Sequence, residues 1–261
     1  MDPLILLSFD IEEFDAPFEF QHPISEEDQI AVSTEGHCRI LSLLERHNIP
    51  ATFFTTAFFA LQESTLIAST AEQHEIASHA YNHSEFEDTD LVQSRRVLQR
   101  ISNQPINGYR SPRMGPVDQE LLTHAGYLYN SSDNPIWLPG RYNNFTSPRT
   151  ANFNGDLLNI PASASPILRI PLFWLAFRHL PMWLIRMTAK RVLQHDGYVV
   201  LYFHPWEFVE LKNWGLPWLM HHGSGDKLLN KLDHFVSWIG KHGRFGTFTE
   251  LDRRMRSQDR T

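Results

Sequence analysis

The sequence has one cysteine, Cys38, which excludes an intramolecular disulfide and a zinc site built from several thiolates. An excess of positive charge is also missing. The 23 Lys and Arg against 30 Asp and Glu leave a formal charge of -7, opposite in sign to the footprint of a nucleic-acid binder, so no nucleic-acid partner is expected. There is no low-complexity tract and no repeat of solenoid length. Uninterrupted apolar runs are short as well. The densest apolar stretch, residues 166–187, is broken by Arg169, Pro171, Arg178, Pro181 and Arg186, so it does not read as a spanning helix. Two readings of it remain: a buried connection and helix, or a peripheral membrane contact with tryptophans at headgroup depth and arginines reaching lipid phosphates. The apolar run Pro3 to Leu7 lacks a basic flank, and Asp10, Glu12 and Glu13 follow directly, unlike an export signal. It reads as a buried strand, and the expected location is cytoplasmic or membrane-peripheral.

What is present is a chain of 261 residues with 42% hydrophobic and 20% charged residues, enough for one large core. A single domain over 1–261 is expected. Strand and helix patterns alternate. Strands are predicted at Leu4–Phe9, Ala51–Phe59 with its exit, Glu75–Ser78, Gly108–Arg110, Tyr127–Tyr129, Leu157–Pro161, Tyr198–Phe203 and Phe245–Thr249. Helices are predicted at Glu35–His47, capped by Ser33 or Thr34, then Leu61–Gln73, Thr89–Ser102, Val117–His124, Pro181–Gln194 and Lys227–Ile239. Seven or eight such pairs imply an α/β domain, either a parallel barrel or an open doubly wound sheet. The long segment Ser131–Asn159 is rich in Pro, Asn and Gly and reads as a binding loop.

Four segments carry possible chemistry. In Asp10-Ile11-Glu12-Glu13, Asp10 and Glu12 share one strand face by the period-two rule, and two adjacent carboxylates call for a cation between them or a proton on one. His79 and His83, spaced i and i+4, would project from one face of a helical turn towards one ion. Two histidines and one carboxylate leave positions open for water and substrate, as in hydrolytic metal sites. Arg110, at a strand end, is placed to pair with a carboxylate such as Asp10. His204 ends the most apolar strand and is a candidate acid.

In this order the four segments resemble the polysaccharide deacetylase family, the NodB-like carbohydrate esterases, over nearly the whole chain. The resemblance implies a single-domain distorted (β/α)7-type barrel. It implies that Asp10 is the base, that Glu12, His79 and His83 bind one divalent metal, that Arg110 orients Asp10, and that His204 is the acid. The ion is most simply Zn2+, although Co2+, Ni2+, Mn2+ or Fe2+ suits the same ligands. The second acid stands one residue later than in the usual motif, as in the Asp-x-Asp/Glu subgroup, which leaves Glu13 as a rival ligand. Asn130-Ser131-Ser132 stands where relatives often have Asp-Ser-Ser, which leaves Asp133 and Asp196 as candidates for tuning His204. A backbone amide near Tyr81 or Asn82 could help hold an oxyanion, and Trp137, Tyr142, Trp206, Trp214 and Trp218 are candidates for stacking on sugar rings.

The implied activity is hydrolysis of an N-acetyl or N-formyl group from an amino sugar of a surface polysaccharide, or of its nucleotide- or lipid-linked precursor. A cytoplasmic location favours the precursor. The alternatives are an allantoinase-like hydrolase of a non-sugar amide and a non-catalytic glycan-binding barrel. The last predicts decay of at least one of Asp10, His79, His83, Arg110 and His204, and all five are present.

Overall fold

The computed structural model describes residues 2–84, 86–138 and 142–259, with the side chains of Leu138 and Tyr142 outside that description. In chain order the elements are β1 (Leu4–Ile11), α1 (Glu26–His47), β2 (Thr52–Thr55), α2 (Ala57–Gln62), α3 (Ser64–Thr70), β3 (Glu75–Ser78) and α4 (Asp90–Ser102). Next come β4 (Gly108–Tyr109), α5 (Gln119–His124), β5 (Tyr129–Asn130), a hairpin β6 (Trp137–Leu138) and β7 (Tyr142–Asn143), β8 (Asn152–Asn154) and β9 (Leu157–Asn159). The chain then forms α6 (Trp174–His179), α7 (Met182–Asp196), β10 (Tyr198–Phe203), α8 (Trp218–His221), α9 (Asp226–Ile239), β11 (Arg244–Gly246) and α10 (Phe248–Asp259).

The main sheet runs β10-β1-β2-β3-β4-β5-β9-β8, parallel except for the β8–β9 pair, and β11 pairs with the first residues of β1. The sheet is curled, with helices packed on its outer face, in a single α/β unit of the distorted-barrel type. Its central strand shows how the fold sets up a site. On β1, Ile5, Leu7, Phe9 and Ile11 face the helices, whereas Leu4 and Leu6 belong to a separate cluster with Phe54, Ala77, Tyr129, Leu158 and Val200 on the concave side. That concave row continues Ser8, Asp10, Glu12, so its buried positions change from apolar to acidic toward the C-terminal mouth.

Helix α1 begins nine residues earlier than the periodicity predicts. Ser25 caps it, accepting from Asp28 N at 3.1 Å, and three acids fill the first turn. Ser33, an expected cap, instead sits inside the helix and donates to the Glu12 carbonyl at 2.6 Å. Gly36 lets this helix lie against the turn after β10: a Cβ there would stand 1.9 Å from the Pro205 carbonyl oxygen. The expected last strand also ends early. From Phe248 the chain is helical, and Phe248 and Leu251 of α10 close the concave core beside Leu4 and Leu6.

Residues 166–187 divide between the two readings made of them. Leu172, Phe173, Trp174, Phe177 and Ile185 are buried, whereas Ile167, Leu168, Trp183 and Met187 are exposed. No described helix is long and apolar enough to cross a membrane.

Candidate active site

At the C-terminal mouth of the sheet, Glu12, His79 and His83 bring one ligand atom each within 4.8 Å of one another. Both imidazole Nε2 atoms lie 3.1 Å from Glu12 Oε2. The other ring nitrogens fix the tautomers. His79 Nδ1 donates to the Arg110 carbonyl at 2.8 Å, and His83 Nδ1 donates to Asp15 Oδ1 at 2.8 Å. The two Nε2 lone pairs therefore face a carboxylate oxygen, an arrangement that repels unless a cation or a proton lies between them. Burial alone would lower His83, but Glu12 and Asp15 raise it to about 8. Burial alone would raise Glu12, yet His83, His204 and His79 hold it well below the usual carboxylate range. The donor set fits a divalent ion, with each imidazole oriented from behind by an acceptor.

The two histidines do not share a helical turn, as their spacing suggests. His79 follows β3 directly, the segment 79–84 is non-helical, and Ala80 adopts a left-handed φ of 65°. The rings meet because the chain turns sharply at Ala80, which leaves the imidazoles stacked with centroids 5.8 Å apart. Glu13, the rival ligand, points elsewhere and accepts from Thr56 Oγ1 at 2.9 Å. Burial raises its pKa.

Beside this cluster, Asp10 Oδ1 accepts from Arg110 at 2.5 Å, and Asp10 Oδ2 lies 4.0 Å from His204 Nε2. Arg110 is fully buried. Its NH1 also reaches Ser8 Oγ at 3.0 Å, its Nε reaches the Ser131 carbonyl at 3.1 Å, and its NH2 reaches Ser131 Oγ at 3.0 Å. Phe54, Tyr202 and Phe248 surround the guanidinium, the first with its ring centroid 3.9 Å from Cζ. Within Asn130-Ser131-Ser132, Ser131 thus braces the arginine, while Ser132 Oγ donates to Asn130 Oδ1 and accepts from Ser111 N–H.

The carboxylate that tunes His204 is neither Asp133 nor Asp196. Asp196 is occupied by Arg149 and His195, and the carboxylates that pair with the imidazole among the described residues are Asp10 and Glu207, not Asp133. The partner is Glu207, which the sequence analysis did not single out. Its Oε1 accepts from His204 Nδ1 at 3.0 Å and from the His204 backbone N–H at 2.8 Å, while Arg178 holds its other oxygen. Burial alone would lower His204, but Glu12, Glu207 and Asp10 raise it above the usual imidazole value. The missed signal was the i+3 spacing of an acid after a strand-ending histidine, a capping-box pattern.

Of the aromatic candidates, Trp206 is buried and its Nε1 donates to Glu12 Oε1 at 3.0 Å, and Trp214 packs edge-on against Phe14. Trp137 and Trp218 are exposed, and the Tyr142 side chain lies outside the described residues. A polar cleft of about 820 Å3 adjoins the site, lined by Arg113, Asn130, Ser132, Asp133, Asn143 and Asn144 among others. Arg113, at a left-handed φ, ties the cleft to the histidine cluster by bonding Asp15, Glu19 and the His83 carbonyl.

Fold and family together are those of a hydrolase of the carbohydrate-esterase and amide-hydrolase class. Residues 4–128 match the family model of the polysaccharide deacetylases, and residues 131–251 match a domain of unknown function, DUF3473. No curated protein gives a significant sequence match. Among solved structures, a Mycobacterium smegmatis protein assigned to the polysaccharide deacetylases is similar at 18% identity and TM-score 0.67, over 98% of this chain and 91% of the other. The Puue allantoinase is similar at 19% identity and TM-score 0.61, over 96% and 89%. A CE4 family pseudoenzyme from Bacillus anthracis is similar at 12% identity and TM-score 0.52, over 96% and 66%. These likenesses concern the fold.

Proposed function

We propose that the chain is a metal-dependent hydrolase that removes an N-acetyl or N-formyl group from an amino sugar of a surface polysaccharide or of its precursor. The observation that carries the reading is the convergence, at one strand mouth, of the Glu12–His79–His83 cluster, the Asp10–Arg110 pair and the His204–Glu207 pair.

Glu12, His79 and His83 would hold one divalent ion, most simply Zn2+, which when bound supplies polarisation of the acyl oxygen and a more acidic water. Asp10 is suited to take the proton of the attacking water. Arg110 occupies its Oδ1 and leaves Oδ2 toward the reacting space. His204 is suited to donate to the departing amine, since its raised pKa favours the imidazolium and Glu207 fixes the proton on Nδ1 with Nε2 aimed at the site. Exposed Trp137, on the hairpin beside the polar cleft, supports a sugar as the acylated group. A fold shared with an allantoinase and with a pseudoenzyme leaves the decision to the side chains, and all six that the catalytic reading requires, Asp10, Glu12, His79, His83, Arg110 and His204, stand in contact distance of a partner.

The test is release of acetate or formate from nucleotide-linked, lipid-linked and polymeric acylamino sugars by intact protein, chelated protein and Asp10→Asn. Release that requires both the metal and Asp10 is expected. If no sugar yields acid while one divalent ion per chain still binds, a non-sugar amide such as allantoin becomes the substrate to try. If no metal binds either, the catalytic reading is wrong.

A further inference from the structure

Between Asp156 and Asp196 the sequence contains no acidic residue but five cations in a chain whose formal charge is -7; of these Arg178 is buried against Glu207, whereas Lys190 and Arg191 are exposed. The same stretch holds the most exposed aliphatic side chains of the described surface. Ile167 is 85% exposed and Leu168 is 73% exposed, and Trp183 at 66% leads to Met187 one helical turn along α7.

The exposure of Ile167 and Leu168 is built in. They occupy the tip of a tight turn closed by the Ala164–Pro171 bridge, with Ser165 N–H donating to the Ile170 carbonyl and Ile170 N–H donating to Ser165 Oγ, each at 2.9 Å. Arg169 adopts a left-handed φ of 50° beside them, and its guanidinium reaches back to the carbonyls of Pro135 and Ser147. A flexible tip could fold its aliphatic side chains down, whereas this one holds them away from the core. Between the tip and α7 lies an apolar groove of about 820 Å3, lined by Pro166, Ile167, Leu168, Ile170 and Met187, with Arg191 and His195 at its edge. Lys190 and Arg191 are exposed on the same helix.

We infer that this face is a docking surface for an anionic phospholipid membrane. Two aliphatic residues on a braced turn, Met187 across the groove from them, exposed Trp183 one turn along the same helix, and exposed Lys190 and Arg191 combine the two attractions that hold peripheral proteins on bilayers: burial of apolar side chains and pairing with lipid phosphates. A soluble acidic partner would use the cations but leave the projecting aliphatics unexplained. The inference does not depend on the reaction the site performs. It has a consequence for that site, because Ser147, which accepts from Arg169, also lines the polar cleft, so the docked face would stand next to the cleft wall.

Sedimentation with phosphatidylcholine vesicles containing about 30% phosphatidylglycerol tests it, using the full chain, Ile167→Ser/Leu168→Ser and Lys190→Glu/Arg191→Glu. The native chain should bind these vesicles, bind pure phosphatidylcholine vesicles at least about tenfold more weakly and lose binding in high salt. The turn variant should bind at least about tenfold more weakly, with unchanged circular dichroism and thermal midpoint. The α7 variant should lose the preference for anionic lipid. No binding to the anionic vesicles would overturn the inference, as would binding that the turn variant leaves unchanged. Self-association in analytical centrifugation that the turn variant abolishes would also overturn it, assigning the face to a second copy of the chain.

Discussion

Glu207→Gln separates charge from shape at the candidate acid. Glutamine retains a carbonyl oxygen that accepts from the His204 backbone N–H, now at 2.8 Å, and from Nδ1, now at 3.0 Å, while the negative charge is removed. Glu207 contributes to raising His204 through both the hydrogen bond and its charge, so the variant's His204 should titrate at lower pH. Metal at Glu12 would offset the other main source of that raised value, which increases the share carried by Glu207. With a smaller imidazolium fraction and a weaker orienting bond, kcat near neutral pH should fall by about 10²-fold, within the 10²–10⁴-fold range of a general acid, with KM little changed. The basic limb of the kcat profile should move to lower pH. The variant also leaves Arg178 buried without its anion, at a cost of about 3–5 kcal/mol, so a lower thermal midpoint is expected as well. Destabilisation alone would therefore prove little. The decisive assay is an NMR titration of the His204 ring in both proteins, alongside the two pH profiles. If His204 titrates at the same pH in Glu207→Gln and the basic limb stays in place, Glu207 is a structural anchor for Arg178 and the reasoning fails.

His79→Ala should abolish stoichiometric zinc binding in calorimetry and the thermal stabilisation by zinc, which for the native protein amounts to about 2.7 kcal/mol at a free concentration 100-fold above Kd. Equal stabilisation of both proteins would place the ion elsewhere. Arg110→Met should cost about 3–5 kcal/mol in urea unfolding, because Asp10 would be left buried without its cation. His37 and His74 flank Phe53 edge-on, and burial lowers them to about 3 and about 4. The unfolded chain takes up these protons near pH 6.5 and the folded one does not, so their contribution is complete above pH 6.5 and declines as the pH falls toward the folded values. Going from pH 6.5 to 5 should cost about 2 kcal/mol for His37 and less for the more accessible His74. Urea midpoints that do not fall over that interval would show that the pair is not held neutral.

The strands were legible where burial is complete. Tyr198–Phe203 is found at its expected bounds, because an apolar run closed by polar residues admits few alternatives in a parallel sheet, and Glu75–Ser78, buried from Ile76 onward, also matches. Helix starts were less legible. In α1 the first turn, from Glu26, is acidic and polar, Ile30, Ala31 and Val32 follow as one short apolar run, and the periodic pattern becomes clear only near Gly36, whereas the cap at Ser25 is a local hydrogen bond with no apolar signature. The strand expected at Phe245–Thr249 is found as β11 over Arg244–Gly246, and its last two residues instead open α10. Phe248 is in fact the first buried residue of a helix whose remaining turns are mostly polar.

In the site, residues that end strands could be anticipated from the sequence, and loop geometry could not. Asp10, Arg110 and His204 sit at or just past the ends of β1, β4 and β10, so strand order alone brings them to one mouth. His79 and His83 converge for a different reason from the one their spacing suggests: a left-handed Ala80 turns the chain, a conformation seldom adopted by alanine and invisible to periodicity. Glu207 was obscured by its neighbours, since an acid inside Pro-Trp-Glu-Phe reads as a turn until Arg178, 29 residues away in sequence, is seen to fix it. Strain at Ala80 and a fully buried Arg178–Glu207 pair both cost stability that a purely structural barrel has no need to forgo. Their joint presence around His83 and His204 is the physical reason to regard these two imidazoles as working groups.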